Sequence, residues 1–333
     1  MIHFGFWKNL PQPFFALAPM ANVTDAAFRA LVAKHAPPDV FWTEFVSAHG
    51  LASPGKENLL HDLDYSEAER PIVAQFFGSR PEHLREAASL ARELKFDGVD
   101  INMGCPDKSI ERQGAGAALL KNPLRMKELI LAAKEGAGDL PVSIKTRTGY
   151  HQDSIDDWLP IVLEAEPAAI SIHARTRQEM SKVPARWEAV ARVREVLDKY
   201  FISSDKPLLI GNGDSFSRAD GERKAKTYGA DGIMIGRGIF HNFWVFEKNY
   251  REHTPQERLA ILLEHLDLFE DKLKGRKPFP ILKKFFKIYV SDFDSAKELR
   301  VELMEKKTSK EVSLAISDYF EKTKDSVEPS LSS

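Results

Sequence analysis

The sequence predicts an α/β protein, a (β/α)8 (TIM) barrel followed by a smaller all-helical C-terminal domain. Short apolar runs rich in β-branched residues recur along the chain, and the segments between them carry apolar residues at helical spacing. Eight such units over about 240 residues match the size of a closed barrel. Beyond about Thr254 the pattern changes to helices without strands. We therefore expect the barrel in residues 1–250, the helical domain in 251–324 and a mobile tail in 325–333.

The predicted strands alternate with helical segments along the chain. They are FFALAPM (14–20), VFWTEF (40–45), PIVAQFF (71–77), GVDINMG (98–104), VSIKTR (142–147), AISIHA (169–174), PLLIGN (207–212) and DGIMIG (231–236). Residues 81–95 and 122–136 are predicted helices of the barrel, and 254–273 and 281–290 are predicted helices of the C-terminal domain. Because the carboxyl ends of barrel strands surround the mouth where active sites lie, polar residues at those ends are the candidate site.

The composition excludes several classes of protein. The 333 residues include a single cysteine, Cys105, which cannot form an internal disulfide or supply the ligand set of a zinc or iron–sulfur site. No apolar run is long enough to span a membrane, and the N-terminus lacks the features of a secretory signal. The net charge of −2 gives no overall attraction to nucleic acid. We expect a cytoplasmic protein that has no contact with a membrane and no obligate protein partner.

Two glycine clusters predict a phosphate site. GNGD (211–214) and IGRG (235–238) end the seventh and eighth strands. Glycine there lets backbone amides and a following helix N-terminus approach a phosphate closely. Glycine after a strand is also ordinary turn chemistry, but the presence of both clusters at this place in an eightfold alternation favours a phosphorylated ligand.

Lys145 and His173 lie at the ends of neighbouring predicted strands. A buried strand has little reason to carry either residue unless a polar group lies at its end. In one interpretation Lys145 pairs with a barrel carboxylate, Glu44 or Asp100, and His173 is a satisfied core histidine. In the other, both residues face an electron-rich ring that becomes anionic on reduction, such as a flavin, whose charge a nearby cation stabilises.

Cys105 also has two interpretations. A lone cysteine is most often a buried packing residue. This one lies between Gly104 and Pro106, in a loop directly after a strand, where its neighbours fix the direction of the thiol. A neutral thiol in that position could donate a proton to a developing carbanion, which is general acid catalysis.

Several segments together resemble, in order and spacing, the tRNA-dihydrouridine synthases. They are APMANVTDAAFRAL (18–31), TEF (43–45), AQFFGS (74–79), NMGCPDKSIERQGAGAALLKNP (102–123), SIKTRTG (143–149), HART (173–176), GNGD (211–214) and GIMIGRG (232–238). The resemblance covers the whole barrel. It implies an FMN-dependent enzyme that reduces a uridine in tRNA to 5,6-dihydrouridine, with NADPH reducing the flavin.

The resemblance also implies roles for individual residues. Hydride from the flavin would reach uracil carbon 6, and Cys105, as the general acid, would protonate carbon 5 from the opposite face. The thiol must then be neutral, so we expect no strong thiolate-stabilising neighbour. The cofactor residues implied are Pro19 and Met20 along the flavin, Gln75 and Lys145 at its ring system, His173 at the ring or ribityl region, and Asn212, Gly213, Gly236 and Arg237 at the phosphate. Asn102 and Arg175 would contact the substrate.

A basic segment near the C-terminus is the candidate tRNA-binding surface. A uracil in folded tRNA is stacked and must be extruded to reach the barrel mouth, at a cost on the order of a few kcal/mol that other contacts must offset. Residues 272–290 carry lysines and an arginine without an acid among them. They form either a solvated helix face balanced by the acids at 264–271, or a surface on which Lys283, Lys284 and Lys287 share one helical face and contact RNA phosphates. We favour RNA contact, which matches the helical RNA-binding domain that the family places after its barrel.

Two places depart from the family pattern. Asn22 stands where many relatives have glycine, a change that bears on the turn beside the flavin. RQEMSKVPARW (177–187) lacks the Gln, Tyr, Gly and Asp pattern that often follows the HART motif, and Met180, Lys182 and Arg186 occupy this loop instead. Since the loop lies near the substrate entrance, the departure bears on which uridine is chosen and not on the flavin chemistry.

Three other functions stay open on the residues alone. A flavin barrel acting on a free pyrimidine would share the FMN site but need no basic helical domain. A Schiff-base aldolase would use Lys145 to attack a carbonyl of a phosphorylated sugar, which leaves Cys105 without a task. A non-catalytic RNA-binding protein built on an old enzyme scaffold would have no physical need for Cys105, Lys145 and His173 together.

Overall fold

The computed structural model of the protein describes residues 1–202 and 205–325. All of the predicted strands are confirmed within a few residues of their expected limits. Their bounds are β1 Phe14–Leu17, β2 Phe41–Ser47, β3 Ile72–Phe77, β4 Gly98–Asn102, β5 Val142–Arg147, β6 Ala169–His173, β7 Leu208–Asn212 and β8 Gly232–Ile235.

The strands form one parallel sheet that closes on itself. From β2 to β8 each strand pairs with the next, and β1 pairs with β8 from Phe14 opposite Gly232 to Leu17 opposite Ile235. A bridge between Ala16 and Val40, just ahead of β2, joins β1 to the other edge. The predicted (β/α)8 barrel is therefore confirmed.

Side chains along the strands alternate between the barrel interior and the surrounding helices, because a strand has a period of two. In β1, Phe14 belongs to an inner cluster with Trp42, whereas Phe15 belongs to the larger cluster formed with the helices. Trp7, in a short 3-10 helix ahead of β1, joins the inner cluster, and its ring centroid lies 5.7 Å from those of Phe14 and Trp42. The barrel is thus packed with side chains at its amino-terminal end, which leaves the opposite mouth for a site.

Helices follow the strands and form the outer layer. Their bounds up to β8 are α1 Ala26–His35, α2 Ala48–Leu51, α3 Glu57–Leu60, α4 Pro81–Glu93, α5 Lys108–Glu111, α6 Pro123–Ala137, α7 Ile155–Leu163, α8 Glu188–Tyr200 and α9 Arg218–Tyr228. The predicted helices at 81–95 and 122–136 are confirmed as α4 and α6. The start of α6 is fixed by Asn122, whose side chain accepts a hydrogen bond from the backbone N–H of Arg125 at 3.1 Å.

The region after the barrel is helical, as predicted. Its helices are α10 Pro255–Leu273, α11 Phe286–Tyr289, α12 Ala296–Glu305 and α13 Ser309–Asp325. A capping box starts α10, since Thr254 and Glu257 each accept a hydrogen bond from the backbone N–H of the other. The region packs against α1, where the ring centroid of Phe28 lies 4.7 Å from that of Phe285. The domain limits at 250 and 324 stay a prediction.

Residues 281–290 differ from the single α-helix that their periodicity predicts. A 3-10 helix spans Phe279–Phe285, and the short α11 follows it. Pro278 and Pro280 lack a backbone N–H, which limits regular α-helical hydrogen bonding at the start of this segment. Apart from Asp325, the predicted mobile tail lies outside the described residues. No helix in residues 1–202 or 205–325 is both long and apolar enough to cross a membrane.

Candidate active site

A cavity of about 260 Å³ opens at the carboxyl ends of the barrel strands. The structure brings most of the predicted site residues together in its wall. These are Pro19, Met20, Asn102, Cys105, Lys145, His173, Arg175, Asn212, Gly213, Gly236 and Arg237. Residues separated by more than two hundred positions in the chain therefore face one space, because the parallel strands all end at the same mouth.

The loop that carries Cys105 is held by hydrogen bonds to its backbone. Asn102, the last residue of β4, accepts hydrogen bonds through Oδ1 from the N–H groups of Gly104 at 3.2 Å and Cys105 at 2.9 Å. The carbonyl of Cys105 accepts a bond from the N–H of Ala117 at 2.9 Å. Gly116, with φ of +59°, allows this close packing, since a Cβ there would lie 2.7 Å from the Cys105 carbonyl oxygen. The direction of the thiol is thus set by hydrogen bonds on both sides of it.

The Cys105 thiol is partly buried, and burial raises its pKa above the ordinary value. Lys145 and Arg147 act in the opposite direction, but they do not overcome the effect of burial. The thiol is therefore protonated at neutral pH, as a general acid requires and unlike a cysteine nucleophile.

Lys145 projects from β5 into the cavity and forms no ion pair with another of the described residues. Its Nζ lies 3.3 Å from Oδ1 of Asn212, and no carboxylate of the described residues lies within 4.0 Å of it. Pairing with Glu44 or Asp100, one of the two interpretations of the sequence, is not observed, since Glu44 binds Lys277 and Asp100 binds Ser143 and Gln75. Burial lowers the pKa of Lys145 to about 8. Its charge at neutral pH is available to a ligand.

His173 ends β6 and is neutral. Burial and the surrounding cations lower its pKa well below the ordinary value. Nη1 of Arg175 lies 3.0 Å from Nε2 of His173, and because a guanidinium can only donate, Nε2 must be the acceptor. The proton of the imidazole is therefore on Nδ1. Arg175 also donates to Asp214, so one arginine orients both residues.

The ends of β7 and β8 form a cradle of backbone. Gly213 has a φ of +130°, and a Cβ at Gly238 would lie 2.4 Å from the carbonyl oxygen of Ser215. The hydroxyl of Ser215 is buried, lines the cavity and has no hydrogen-bond partner among the described residues. Arg237 lies beside it, bonded to Asp214 at 2.9 Å. A buried hydroxyl without a partner next to glycine backbone fits a ligand that accepts hydrogen bonds, such as a phosphate.

Sequence reasoning assigned no role to several residues of the cavity wall. Ser215 is one, and Arg147 is another, although it ends a strand and was visible as a polar strand end. The Arg147 side chain donates to the carbonyl oxygens of Gly104 at 2.8 Å, Thr176 at 3.1 Å and Met180 at 3.0 Å. These bonds join the Cys105 loop to the loop after β6. Arg147 forms no ion pair within the described residues, so it adds positive charge to the cavity.

The loop at 177–187, which departs from the family pattern, is tied to the cavity by its own polar residues. Glu179 binds Arg186 at 2.9 Å and accepts from the N–H of Thr176 at 2.8 Å. The bond with Arg186 and the hydrogen bonds from Thr176 outweigh burial and lower the pKa of Glu179 to about 2. Ser181 lines the cavity. Arg186, one of the substituted residues, therefore fixes Glu179 in the loop that contributes Ser181 to the cavity wall.

Asn22, the other departure, has a φ of +57°. Asparagine tolerates this left-handed conformation better than most residues other than glycine, so the turn after β1 keeps its shape. Its N–H donates to Glu44, and its carbonyl accepts from Lys284 at 2.6 Å.

Gln75 and the three lysines lie away from the cavity wall. Gln75 is fully buried beneath it, with its side-chain amide bonded to Asp100 at 2.7 Å and to Asn102 at 3.1 Å. The expectation that Lys283, Lys284 and Lys287 share one face is wrong. Lys283 and Lys287 line a surface groove beside α12, whereas Lys284 reaches Asn22. The 3-10 turns rotate the side chains relative to the α-helical spacing on which the expectation was based.

These features define a class of protein, a (β/α)8-barrel enzyme whose mouth combines a protonated thiol with a cation-rich cavity that fits an anionic ligand. Four cations line the cavity, Lys145, Arg147, Arg175 and Arg237, against the single carboxylate of Asp214 within the described part of the chain.

The chain belongs to the dihydrouridine synthase family. The family described as "Dihydrouridine synthase (Dus)" matches residues 16–328, and it is a family of oxidoreductases. "Probable tRNA-dihydrouridine synthase 2" of Bacillus subtilis (strain 168) is 44% identical over 327 residues, covering 97% of this chain and 99% of the relative. "Probable tRNA-dihydrouridine synthase" of Staphylococcus aureus (strain COL) is 45% identical over 320 residues, covering 95% and 96%. The relative of that name from Staphylococcus epidermidis (strain ATCC 12228 / FDA PCI 1200) is 46% identical over 304 residues, covering 90% and 91%.

Proposed function

We propose that the protein reduces a uridine in tRNA to 5,6-dihydrouridine, with FMN bound in the cavity and NADPH as the reductant. The chain belongs to the dihydrouridine synthase family. The observation that carries the proposal is a protonated Cys105 in the same cavity as Lys145 and Arg147, which form no ion pair within the described residues. The names of the relatives support tRNA as the substrate. The unpaired thiol and a tRNA substrate both fit a reducing cytoplasm, which we propose as the location.

The donors present fit FMN. The phosphate would be held by the Ser215 hydroxyl, the backbone at Gly213 and Gly236, and Arg237, with Asn212 beside them. Lys145 and His173 would lie at the ring system, and Pro19 and Met20 would form its apolar wall. Direct contact between Gln75 and the ring stays a prediction, since its amide is engaged beneath the cavity.

FMN, when bound, supplies the hydride that reduces uracil carbon 6. The tasks of the chain follow from charge. The reduced uracil carries negative charge as carbon 5 awaits a proton, and the protonated Cys105 donates that proton. The cations at Lys145 and Arg147 favour negative charge in the cavity. Asn102 and Arg175 would orient the uracil.

The tRNA would bind across the cavity and the C-terminal helices. Lys283, Lys287 and Arg300, with one acid, Glu305, line a groove that also includes Val301 and Met304. Val301 is 59% exposed and Met304 is 46% exposed. Three cations against one acid, around exposed apolar side chains, fit a nucleic-acid strand, because its phosphates would meet positive charge and its bases would meet apolar surface. Lys284 lies nearer the cavity, at Asn22, where it would contact the same strand close to the extruded uridine.

The test uses the purified full-length protein, its visible absorbance and transcribed tRNA. We expect a bound flavin, NADPH oxidation that depends on tRNA, and dihydrouridine in the tRNA by mass spectrometry. Free uridine at the same concentration is the comparison, because a barrel acting on free pyrimidines would reduce both. A colourless protein that does not bind added FMN would contradict the proposal. Equal turnover of free uridine and tRNA would show that the protein is a reductase of small molecules instead.

A further inference from the structure

A chain of buried polar side chains runs beneath the cavity from the barrel interior to the Cys105 loop. Asp100 and Gln75 are opposite each other on β4 and β3, and both are fully buried. Asp100 accepts from Ser143 Oγ at 2.6 Å and from Gln75 Nε2 at 2.7 Å. Gln75 Oε1 accepts from Asn102 Nδ2 at 3.1 Å. Asn102 Oδ1 in turn accepts from the N–H groups that hold the Cys105 loop.

The chemistry at the two ends fixes the direction of every bond between them. Backbone N–H groups can only donate, so Asn102 must present its oxygen to the loop and its amide nitrogen to Gln75. Gln75 must then offer its oxygen to Asn102 and its nitrogen to Asp100. That nitrogen needs an acceptor, and the ionised carboxylate of Asp100 can only accept hydrogen bonds. Asp100 is thus the terminal acceptor of a chain with one allowed polarity.

We propose that Asp100 is a positioning residue that holds the Cys105 loop, and with it the thiol, in the orientation needed for proton delivery. The proposal rests on the proposed function for its consequence in catalysis, but the geometry of the chain does not depend on it. Without an acceptor at position 100, Gln75 can turn over, Asn102 loses its fixed partner, and the loop N–H groups lose a fixed acceptor. Burial raises the pKa of Asp100 to about 6, so its carboxylate form predominates at neutral pH.

The first test compares Asp100→Leu with Asp100→Asn, because asparagine keeps an acceptor oxygen for Gln75 and leucine does not. In stopped-flow experiments on the flavin-loaded enzyme, Asp100→Leu should slow flavin reoxidation by tRNA by about tenfold or more, while flavin reduction by NADPH changes less than about threefold. Asp100→Asn should restore reoxidation to within about threefold of the wild type. Equal slowing of both half-reactions by Asp100→Leu, or no rescue by Asp100→Asn, would overturn the proposal.

The second test needs no flavin and no activity. Cys105 is the single cysteine, so alkylation by iodoacetamide reports on its loop alone. Asn102→Asp places carboxylates at both ends of Gln75, and it also puts a negative charge beside Cys105 that raises the thiol pKa. The rate is therefore measured against pH and expressed per thiolate. Expressed in this way, the alkylation rate of the apoprotein should change by about fivefold or more in Asn102→Asp. The swap Asn102→Asp with Asp100→Asn reverses the polarity of the chain at the same net charge and should return the rate per thiolate to within about twofold.

An alkylation rate that the single change leaves unaltered, or that the swap fails to restore, would overturn the positioning role. The outcome is separable from failure of the proposed function. If the wild type binds no flavin and makes no dihydrouridine, the proposed function falls, but the alkylation rates still decide whether the polar chain orders the loop.

Discussion

Two groups of buried charges in this protein differ in what satisfies them. Where the barrel meets the C-terminal helices, Lys277 binds Glu44 at 2.6 Å and lies 3.7 Å from Asp25, and all three side chains are at most 9% exposed. In the cavity, Lys145 meets an amide oxygen and Arg147 meets backbone carbonyls. The first arrangement holds the fold together. The second leaves charge that a ligand can use, at some cost to the stability of the empty protein.

The largest effect expected on stability is at the paired lysine. Lys277→Met leaves Glu44 and Asp25 buried without their cation, so the free energy of unfolding should fall by about 3–5 kcal/mol. Urea unfolding at pH 7 measures the change. Lys248→Met, at an exposed lysine, is the matched control and should change stability by less than about 0.5 kcal/mol. If Lys277→Met lowers the free energy of unfolding by less than about 1 kcal/mol, the paired charges at Lys277 do not stabilise the fold more than the cavity charges do.

Lys145→Met, the same substitution at the cavity lysine, should raise the free energy of unfolding instead of lowering it. Lys145→Met removes a cation whose burial lowers its pKa from 10.5 to about 8. Because one pKa unit corresponds to about 1.4 kcal/mol, the apoprotein should gain up to about 3 kcal/mol, less where solvent in the cavity screens the charge. FMN should bind at least about tenfold more weakly by isothermal titration. A less stable apoprotein with unchanged FMN affinity would place Lys145 among the structural charges.

The pH dependence of stability gives a sharper version of this prediction. The folded state gives up the Lys145 proton near pH 8, whereas the unfolded chain keeps it to about 10.5. The unfolded state therefore binds more protons between these values, and stability should rise with pH there. Between pH 7 and 9.5, the free energy of unfolding of the wild type should rise by about 1–2 kcal/mol relative to that of Lys145→Met, as measured by urea unfolding. Parallel curves for the two proteins would show that Lys145 is not destabilised by burial.

The lysines near the C-terminus test the RNA surface. Replacing Lys283, Lys284 and Lys287 with glutamine should weaken tRNA binding and reduce the slope of log affinity against log salt by about 2–3. The matched control replaces the exposed barrel lysines Lys199, Lys226 and Lys248, which carry the same total charge. Filter binding at several salt concentrations measures both. Equal slopes for the two triple variants would assign the C-terminal lysines to ordinary solvated surface.

The smallest effect is expected at Asn22. Glycine accepts the left-handed φ of +57° without strain, so Asn22→Gly should change stability by less than about 1 kcal/mol and leave FMN binding unaltered. A β-branched residue does not accept it, and Asn22→Val should destabilise by about 1–3 kcal/mol. Thermal unfolding of the two variants measures the contrast. Similar losses for glycine and valine would mean that the asparagine side chain, and not the turn, is what matters.

The fold could be predicted from the sequence because the strands are short apolar runs and the helices of the barrel carry apolar residues at helical spacing. The position of the site followed from the same reasoning. Strand ends such as Lys145, His173 and Asn212 are distant in sequence, but a closed parallel barrel leaves them no other place than one mouth.

What could not be predicted depends on side-chain direction and on partners far away in sequence. Gln75 ends up bonded beneath the cavity because Asp100 and Asn102 on the neighbouring strand take both ends of its amide. Ser215 belongs to no motif that the sequence singles out, and only its hydroxyl, buried without a partner among the described residues, marks it as a candidate. Lys284 separates from Lys283 and Lys287 because tertiary packing and two prolines replace α-helical turns with 3-10 turns.

The most direct test of the account is a single turnover of Cys105→Ala. The variant should bind FMN and be reduced by NADPH at close to the wild-type rate, because the thiol is not needed for either step. Dihydrouridine formation in tRNA, measured by rapid quench and mass spectrometry, should fall by about 100-fold to 10,000-fold, the range that a general acid contributes. Dihydrouridine formed at the wild-type rate by this variant would contradict the central claim that Cys105 supplies the proton.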